Sequence, residues 1–321
     1  MAKKSKRGSG PRPGSNRAER VAARKIRQAT SLAAPVRPFR GLKSECDLVA
    51  MRSFIASATA QVPFAKGFDA AHEADLVTIL PGAVPADVRR RKAAVMGEKG
   101  AVAGDSDGMV TQGLVALQTN PEPSDLVGSL TAALTWAAAA KEGDKYTGEP
   151  AEFSLGQIID PDADLEIVVY ENFDWWFADD NAARNELAEM LERANDSIMP
   201  TARLFPSSGV GAPWWVNAGD RAHLRWVRPE DEDDLMNALA RVHAAGHLTL
   251  GEGSKFAGSF RTHGLIVPVF DVDPEAHHEE WHAAVETLDG HLAEALADTS
   301  DLTATQRGSR AGITGRQVTL R

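Results

Sequence analysis

The sharpest chemical pattern in the chain is His278-Glu279-Glu280-Trp281-His282, an H-E-x-x-H string. On a helix, spacing i, i+4 puts both imidazoles on one face, where His278 and His282 could hold a zinc ion while Glu279 polarises a water. Glu286 and Glu294 are available as third ligands. Several features weigh against this reading. Glu280 is charged where zinc proteases of this kind keep an uncharged, half-buried residue. The longer motif would need a histidine at Leu288. The apolar stripe Trp281, Val285, Leu288, Leu292 and Leu296 leaves both histidines flanking it, as on a solvated helix rim.

A second grouping is Lys255, Arg261 and His263, which could line a pocket for a small anion. The preceding Gly251-Glu252-Gly253-Ser254 has the glycine content of a phosphate loop but a Glu inside it, and reads as a strand-joining hairpin turn. The G-x-x-x-x-G-K-[ST] string is missing from the sequence, as is a dinucleotide fingerprint after a strand, and no G-x-S-x-G elbow stands at a strand-to-helix turn: Gly104-Asp105-Ser106-Asp107-Gly108 has the string but lies in the polar loop that leads into a strand. Cys46 opens a predicted helix, but Glu45 and Asp47 oppose a lowered thiol pKa, so it reads as a buried thiol. The blocks Phe173-Asp174-Trp175-Trp176-Phe177 and Pro213-Trp214-Trp215 could stack on a sugar or base, or serve as core or interface. No cofactor is indicated.

The elements that must position these residues read as α+β: a mixed sheet with packed helices. Strands are expected at 75–80, 109–118, 165–170, 222–227, 247–250 and 264–272, the last demoted to an edge or bulged strand by Pro268. Helices are expected after Ser44 (with Leu48, Met51, Phe54 and Ile55 on one face), from a Ser124 cap through Ala140, over 181–198, 231–245 and 274–297. Gly97–Gly108 reads as a polar loop. Residues 114–140 and 224–246 both run strand, Pro turn, Asp-Leu, helix. That similarity raises an internal duplication, with two halves split near 145–160; any β-turn-α unit is the rival explanation.

Charge divides the chain. Residues 1–40 hold twelve Lys and Arg against Glu19, a net of +11, whereas residues 41–321 carry −21. Residues 1–37 are too poor in apolar side chains to order alone and read as a disordered basic arm. Within it Lys3, Lys4, Lys6, Arg7, Arg12, Arg17, Arg20, Arg24, Lys25 and Arg27 are the candidate contacts to the phosphates of RNA, the ribosome or DNA. Residues 38–300 form the acidic globule, and 301–321 a second basic, flexible end. One cysteine excludes an internal disulfide framework and a cysteine-rich zinc site. The fifteen mostly apolar residues Leu126 to Ala140 fall short of the roughly 20 needed to span a bilayer. No apolar stretch follows the basic start, so a cytoplasmic protein without a membrane partner is expected.

The Lys-rich start, with the segments GLKSECDLVAMRSFIASATA (41–60) and GEGSKFAGSFRTHGLIVPVFDVD (251–273), resembles an uncharacterised actinobacterial family, a domain of unknown function, over most of residues 38–300. Members are sometimes labelled topoisomerase II or linked to the SecA preprotein translocase. Both are far longer, ATP-dependent machines, and this chain has no visible ATP-binding motif. The resemblance implies an actinobacterial cytoplasmic protein with no established activity, and transfers no catalytic residue. The expected function is therefore a non-catalytic binding protein, its arm on nucleic acid or ribosome and its acidic globule on an unknown protein partner. The alternative is a hydrolase, zinc-dependent at His278/His282 or acting on a small anionic ligand near Lys255, Arg261 and His263.

Overall fold

The computed structural model describes residues 37–93, 108–177 and 181–319. The ten candidate nucleic-acid contacts between Lys3 and Arg27, and the loop expected at 97–108 apart from Gly108, lie outside them.

The first sheet has the order β3-β4-β2-β1-β5, built from β1 (Ala58–Gln61), β2 (Glu73–Val77), β3 (Ala86–Lys92), β4 (Met109–Ala116) and β5 (Ile167–Val169). β2 and β4 run parallel; the other neighbours are antiparallel. The second sheet has the order β11-β9-β10-β8-β7-β6, from β6 (Thr201–Arg203), β7 (Ala212–Asn217), β8 (Ala222–Val227), β9 (Lys255–Thr262), β10 (Leu265–Val272) and β11 (Gln317–Thr319). Only the β9–β11 pair in it is parallel. The architecture is thus α+β with mixed strand pairing, as expected.

Between the sheets lies helix α1 (Glu45–Ser53). Leu48, Val49, Ala50 and Met51 are all inaccessible to solvent. Four consecutive helical residues point in four directions, so this helix is buried all round rather than along one stripe. It packs in one cluster with Ala58, Ala60 and Leu76 of the first sheet and Trp214, Val227 and Val267 of the second. At roughly 1.5–3 kcal/mol per large apolar side chain removed from water, this layer is a principal source of stability. The helix starts with Glu45 and Asp47 in its first turn, favourable to its dipole. The expected Ser44 cap does not form: Ser44 is not extended (φ −79°, ψ 5°), and its buried Oγ has no partner among the described residues. Arg37, assigned above to the basic arm, belongs to the fold. Its Nε and Nη2 donate to Glu45 at 2.9 and 2.5 Å, and Nη2 also donates to Pro229 O at 2.9 Å.

Helix α2 (Leu126–Ala137) is capped by Asp125, not Ser124. Asp125 is extended and its carboxylate accepts from Gly128 N at 3.0 Å. α2 lies so close on β4 that a Cβ at Gly113 would stand 2.3 Å from Ala137 O. The short helix α3 (Leu155–Ile158) follows, with a capping box between Ser154 and Gln157.

The single helix expected over 181–198 is broken at Leu187 into α4 (Asn181–Glu186) and α5 (Ala188–Asn195). Among its described side chains only Leu191 is buried. A 3-10 turn, Asp174–Phe177, packs aromatics on the outer face of the first sheet. Trp175 Nε1 donates to Ser57 Oγ and Trp176 Nε1 to Ile79 O, both at 2.9 Å. Trp214 and Trp215 are buried in the second sheet, so both aromatic blocks are packing elements.

Helices α6 (Glu232–Ala244), α7 (His282–Ala297) and α8 (Ala304–Thr314) cover the far side of the second sheet. Arg228, 1 % exposed, sits under them between Glu230 (2.5 Å) and Asp289 (3.2 Å), with its guanidinium over Trp226. Residues 247–250 are a turn leading from α6 to β9, not a strand, so Gly251–Ser254 joins a helix to a strand. β10 is interior, not an edge. The β8 ladder is interrupted opposite Pro268, which has no N–H to offer, and resumes at the Arg228–Ile266 bridge. A bulge beside it leaves Ala257 of β9 unpaired. The last helix expected, 274–297, begins late because Pro274–His277 is irregular. The C-terminal segment, expected as a flexible basic end, forms α8 on α6 and β11 along β9. The two strand-turn-helix segments sit in sheets of different strand number, and β4 has a parallel neighbour where both neighbours of β8 are antiparallel.

Candidate functional site

His278 to Trp281 form a 3-10 turn, and His282 only begins α7. The five-residue motif is therefore not one turn of α-helix. Glu280 is engaged as the partner of His277 N (2.7 Å), and Glu279 approaches His277 Nδ1 at 3.7 Å. The His278 ring stands edge-on to Trp215 at 5.8 Å and against His277 at 4.1 Å. Burial first, and the neighbouring His277 second, lower the His278 pKa. Glu286 accepts from Ser207 N and Oγ on a different loop. Among the described residues no group of three His, Cys, Asp or Glu stands where it could hold a metal ion.

Lys255, Arg261 and His263 are not brought together. Lys255 is exposed at the start of β9, and Arg261 pairs with Glu232. Six residues of extended chain separate the two, about 20 Å. His263 lies past the end of β9, in the two-residue turn to β10. His263 (φ +45°) and Gly264 (φ +76°) are both left-handed, the type I′ pattern that matches strand twist. A non-glycine residue held there is a strained position of the kind that clusters at functional sites.

His263 instead meets a set of residues that no sequence motif marks. With Arg52, Ser53, Gln118, Thr119, Glu122 and Thr262 it lines a cavity of about 370 Å³. The side chain of Arg52, at the end of α1, is only 5 % exposed. Its Nη1 donates to Leu117 O, and its Nη2 donates to Glu122 Oε1 at 2.6 Å. Glu122 itself is 65 % exposed. Gln118 Nε2 donates to Met51 O and Ile55 O at 2.7 and 2.9 Å, closing carbonyls at the end of α1. Ser53 Oγ and Thr262 Oγ1 are 3.2 Å apart and tie α1 to β9. The peptide bond before Pro121 is cis. Burial, then the charge of Arg52, depress the His263 pKa to about 4, so its ring is neutral at neutral pH. Arg52 and Thr119 also border a second cavity of about 550 Å³, beneath residues 146–151 and beside the start of α2.

A second polar cluster lies on the outer face of the first sheet. Gln112 Nε2 donates to Asp75 Oδ2 at 2.8 Å, and Arg89 Nε donates to Gln112 Oε1 at 3.0 Å. Arg89 Nη1 also donates to Trp175 O. Burial pushes the Asp75 carboxyl up to about 6 despite Arg89 and Arg91. Cys46 is buried, and burial with Asp47 and Glu45 raises its thiol pKa far above the ordinary value. Among the described residues no helix is long and apolar enough to cross a membrane.

No curated protein and no solved structure matches this chain. One family model does, and its match begins at residue 38, beside the Arg37–Glu45 clamp that opens the fold, and runs to the last residue. The chain belongs to a family of unknown function, DUF5926, across residues 38–321.

Proposed function

We propose that this protein is a non-catalytic binding protein that grips the phosphates of RNA or DNA with its N-terminal residues. The carrying observation is the distribution of charge. With Arg37 paired to Glu45, and Arg40 3.9 Å from Asp231, two of the twelve N-terminal cations belong to the fold. The other ten precede it with one acid, a net of +9 in residues 1–36, and the remaining chain carries −19. Nucleic-acid affinity then comes from counterion release at the arm, while the acidic fold is repelled and left free to engage a protein partner.

Fluorescence anisotropy with labelled single-stranded RNA and duplex DNA, across a salt series, tests this. The full-length protein should bind with log K falling by about 0.7–0.9 per phosphate neutralised for each unit of log salt. Replacing the ten cations by Gln in the full-length chain should abolish binding. Equal affinity of the two proteins, or binding insensitive to salt, refutes the proposal.

A further inference from the structure

The cleft at Arg52 is independent of the charged N-terminus and has its own chemistry. Its two chambers meet at Arg52 and Thr119 and differ in character. The chamber of about 550 Å³ is walled largely by hydrocarbon, including Pro85, Leu117, Leu126, Leu130 and Pro150. That volume falls within the range of small-molecule sites. The chamber of about 370 Å³ presents the hydroxyls of Ser53 and Thr262 and the ring of His263. Arg52 divides the two and is almost wholly removed from water.

A guanidinium in that position requires an anion, because burying an unpaired charge is expensive. Among the described residues the only carboxylate it contacts is Glu122, which is two-thirds exposed. Glu122 thus stands where a carboxylate ligand would sit, and its exposed side chain can move into solvent as a ligand carboxylate takes over the pairing, so that Arg52 is never left without an anion. A single cation and the nearby Asp125 favour a monoanion over a doubly charged phosphate.

We propose that this cleft binds a small monocarboxylic acid with an apolar body. The carboxylate replaces Glu122 on Arg52, and the apolar body fills the larger chamber. The pairing is non-covalent and of the side-on guanidinium–carboxylate type. The two hydroxyls and His263 line the polar side, where a hydrogen-bonding substituent near the carboxylate would be accommodated.

Calorimetry on the full-length protein, with 4-phenylbutyrate, octanoate and indole-3-acetate as probes, tests it. At least one of the three should bind in the millimolar range or tighter, and its neutral amide should bind about tenfold or more weakly. Acetate, which lacks the apolar body, should be weaker than the bound acid. Glu122→Gln removes the competing charge from an exposed position and should tighten acid binding by about tenfold. Arg52→Lys should weaken it by a similar factor. Should that variant not fold, Ala151→Phe, which narrows the larger chamber from a half-buried loop position, should weaken the acid more than it weakens acetate. Failure of all three acids to bind, equal affinity for acid and amide, or unchanged affinity in Glu122→Gln overturns the proposal.

Discussion

Asp75 offers a quantitative test of the outer face of the first sheet. Its carboxylate lies in the middle of β2, accepts from Gln112, and faces Arg89 and Arg91 on β3 and Glu73 on its own strand. Burial is the largest influence and outweighs the two arginines, so the carboxyl titrates near 6 in the fold, against 3.8 for an ordinary aspartate. The folded chain therefore binds this proton more tightly than the unfolded chain. The stability it contributes is complete below about pH 4 and is lost as pH rises through about 6. Above that, the fold carries a desolvated charge whose cost, from the difference between the two values, is at most about 3 kcal/mol. Asp75→Asn keeps an acceptor for Gln112 and removes the charge. The variant should be more stable than the parent by about 2–3 kcal/mol at pH 8, with the gain shrinking toward zero near pH 4. Urea denaturation followed by tryptophan fluorescence at pH 4, 6 and 8 measures this directly, since Trp175 and Trp176 cap the same face. A gain that is the same at all three pH values, or a loss at pH 8, would show that the carboxylate is adequately solvated or paired, and the reasoning would fail.

Other positions give sharp expectations. Gly113→Ala drives a Cβ into Ala137 O and should cost about 1–3 kcal/mol in urea denaturation. Gly156→Ala, with open space around it, should cost nothing measurable by the same assay. Arg228→Ala leaves Asp289 and Glu230 without their buried cation and should cost about 3–5 kcal/mol, whereas Arg228→Met together with Asp289→Leu should recover a large part of it. The His263 ring should titrate near pH 4 by NMR; a midpoint near the ordinary 6.5 would mean the ring is solvated. Because the unfolded chain gains that proton first, His263 should withdraw stability as pH falls from about 6.5 to about 4.

Much of the element order was legible from local pattern. Runs such as Leu224-Arg225-Trp226-Val227 and Ile167-Val168-Val169 carry β-branched and aromatic residues that declare strands, and the acids at 231–234 with Gly246 bracket a helix. What failed depended on tertiary context. β9, with Gly258 and Ser259 in its middle, has weak strand propensity and is held by ladders on both sides. The C-terminal segment has little apolar content, yet Ile313 is fully buried in the core of the second sheet. The H-E-x-x-H spacing was genuine, but it carries metal geometry only on an α-helix, and the chain makes a 3-10 turn there. No local pattern marks Arg52, because one arginine ending a helix looks solvated. The signal was that Leu48 to Met51 leave that helix no polar side, so its arginine must be enclosed.

The burial of α1 on every side bears on how the chain can be divided. Neither sheet owns this helix: remove the first and it loses Ala58, Ala60 and Leu76, remove the second and it loses Trp214, Val227 and Val267. A cut between residues 145 and 160 would leave both pieces with a raw apolar wall. Separating the two pieces would expose that wall to water, so neither half is expected to fold by itself, and a chain nicked in this interval would hold together through the shared helix.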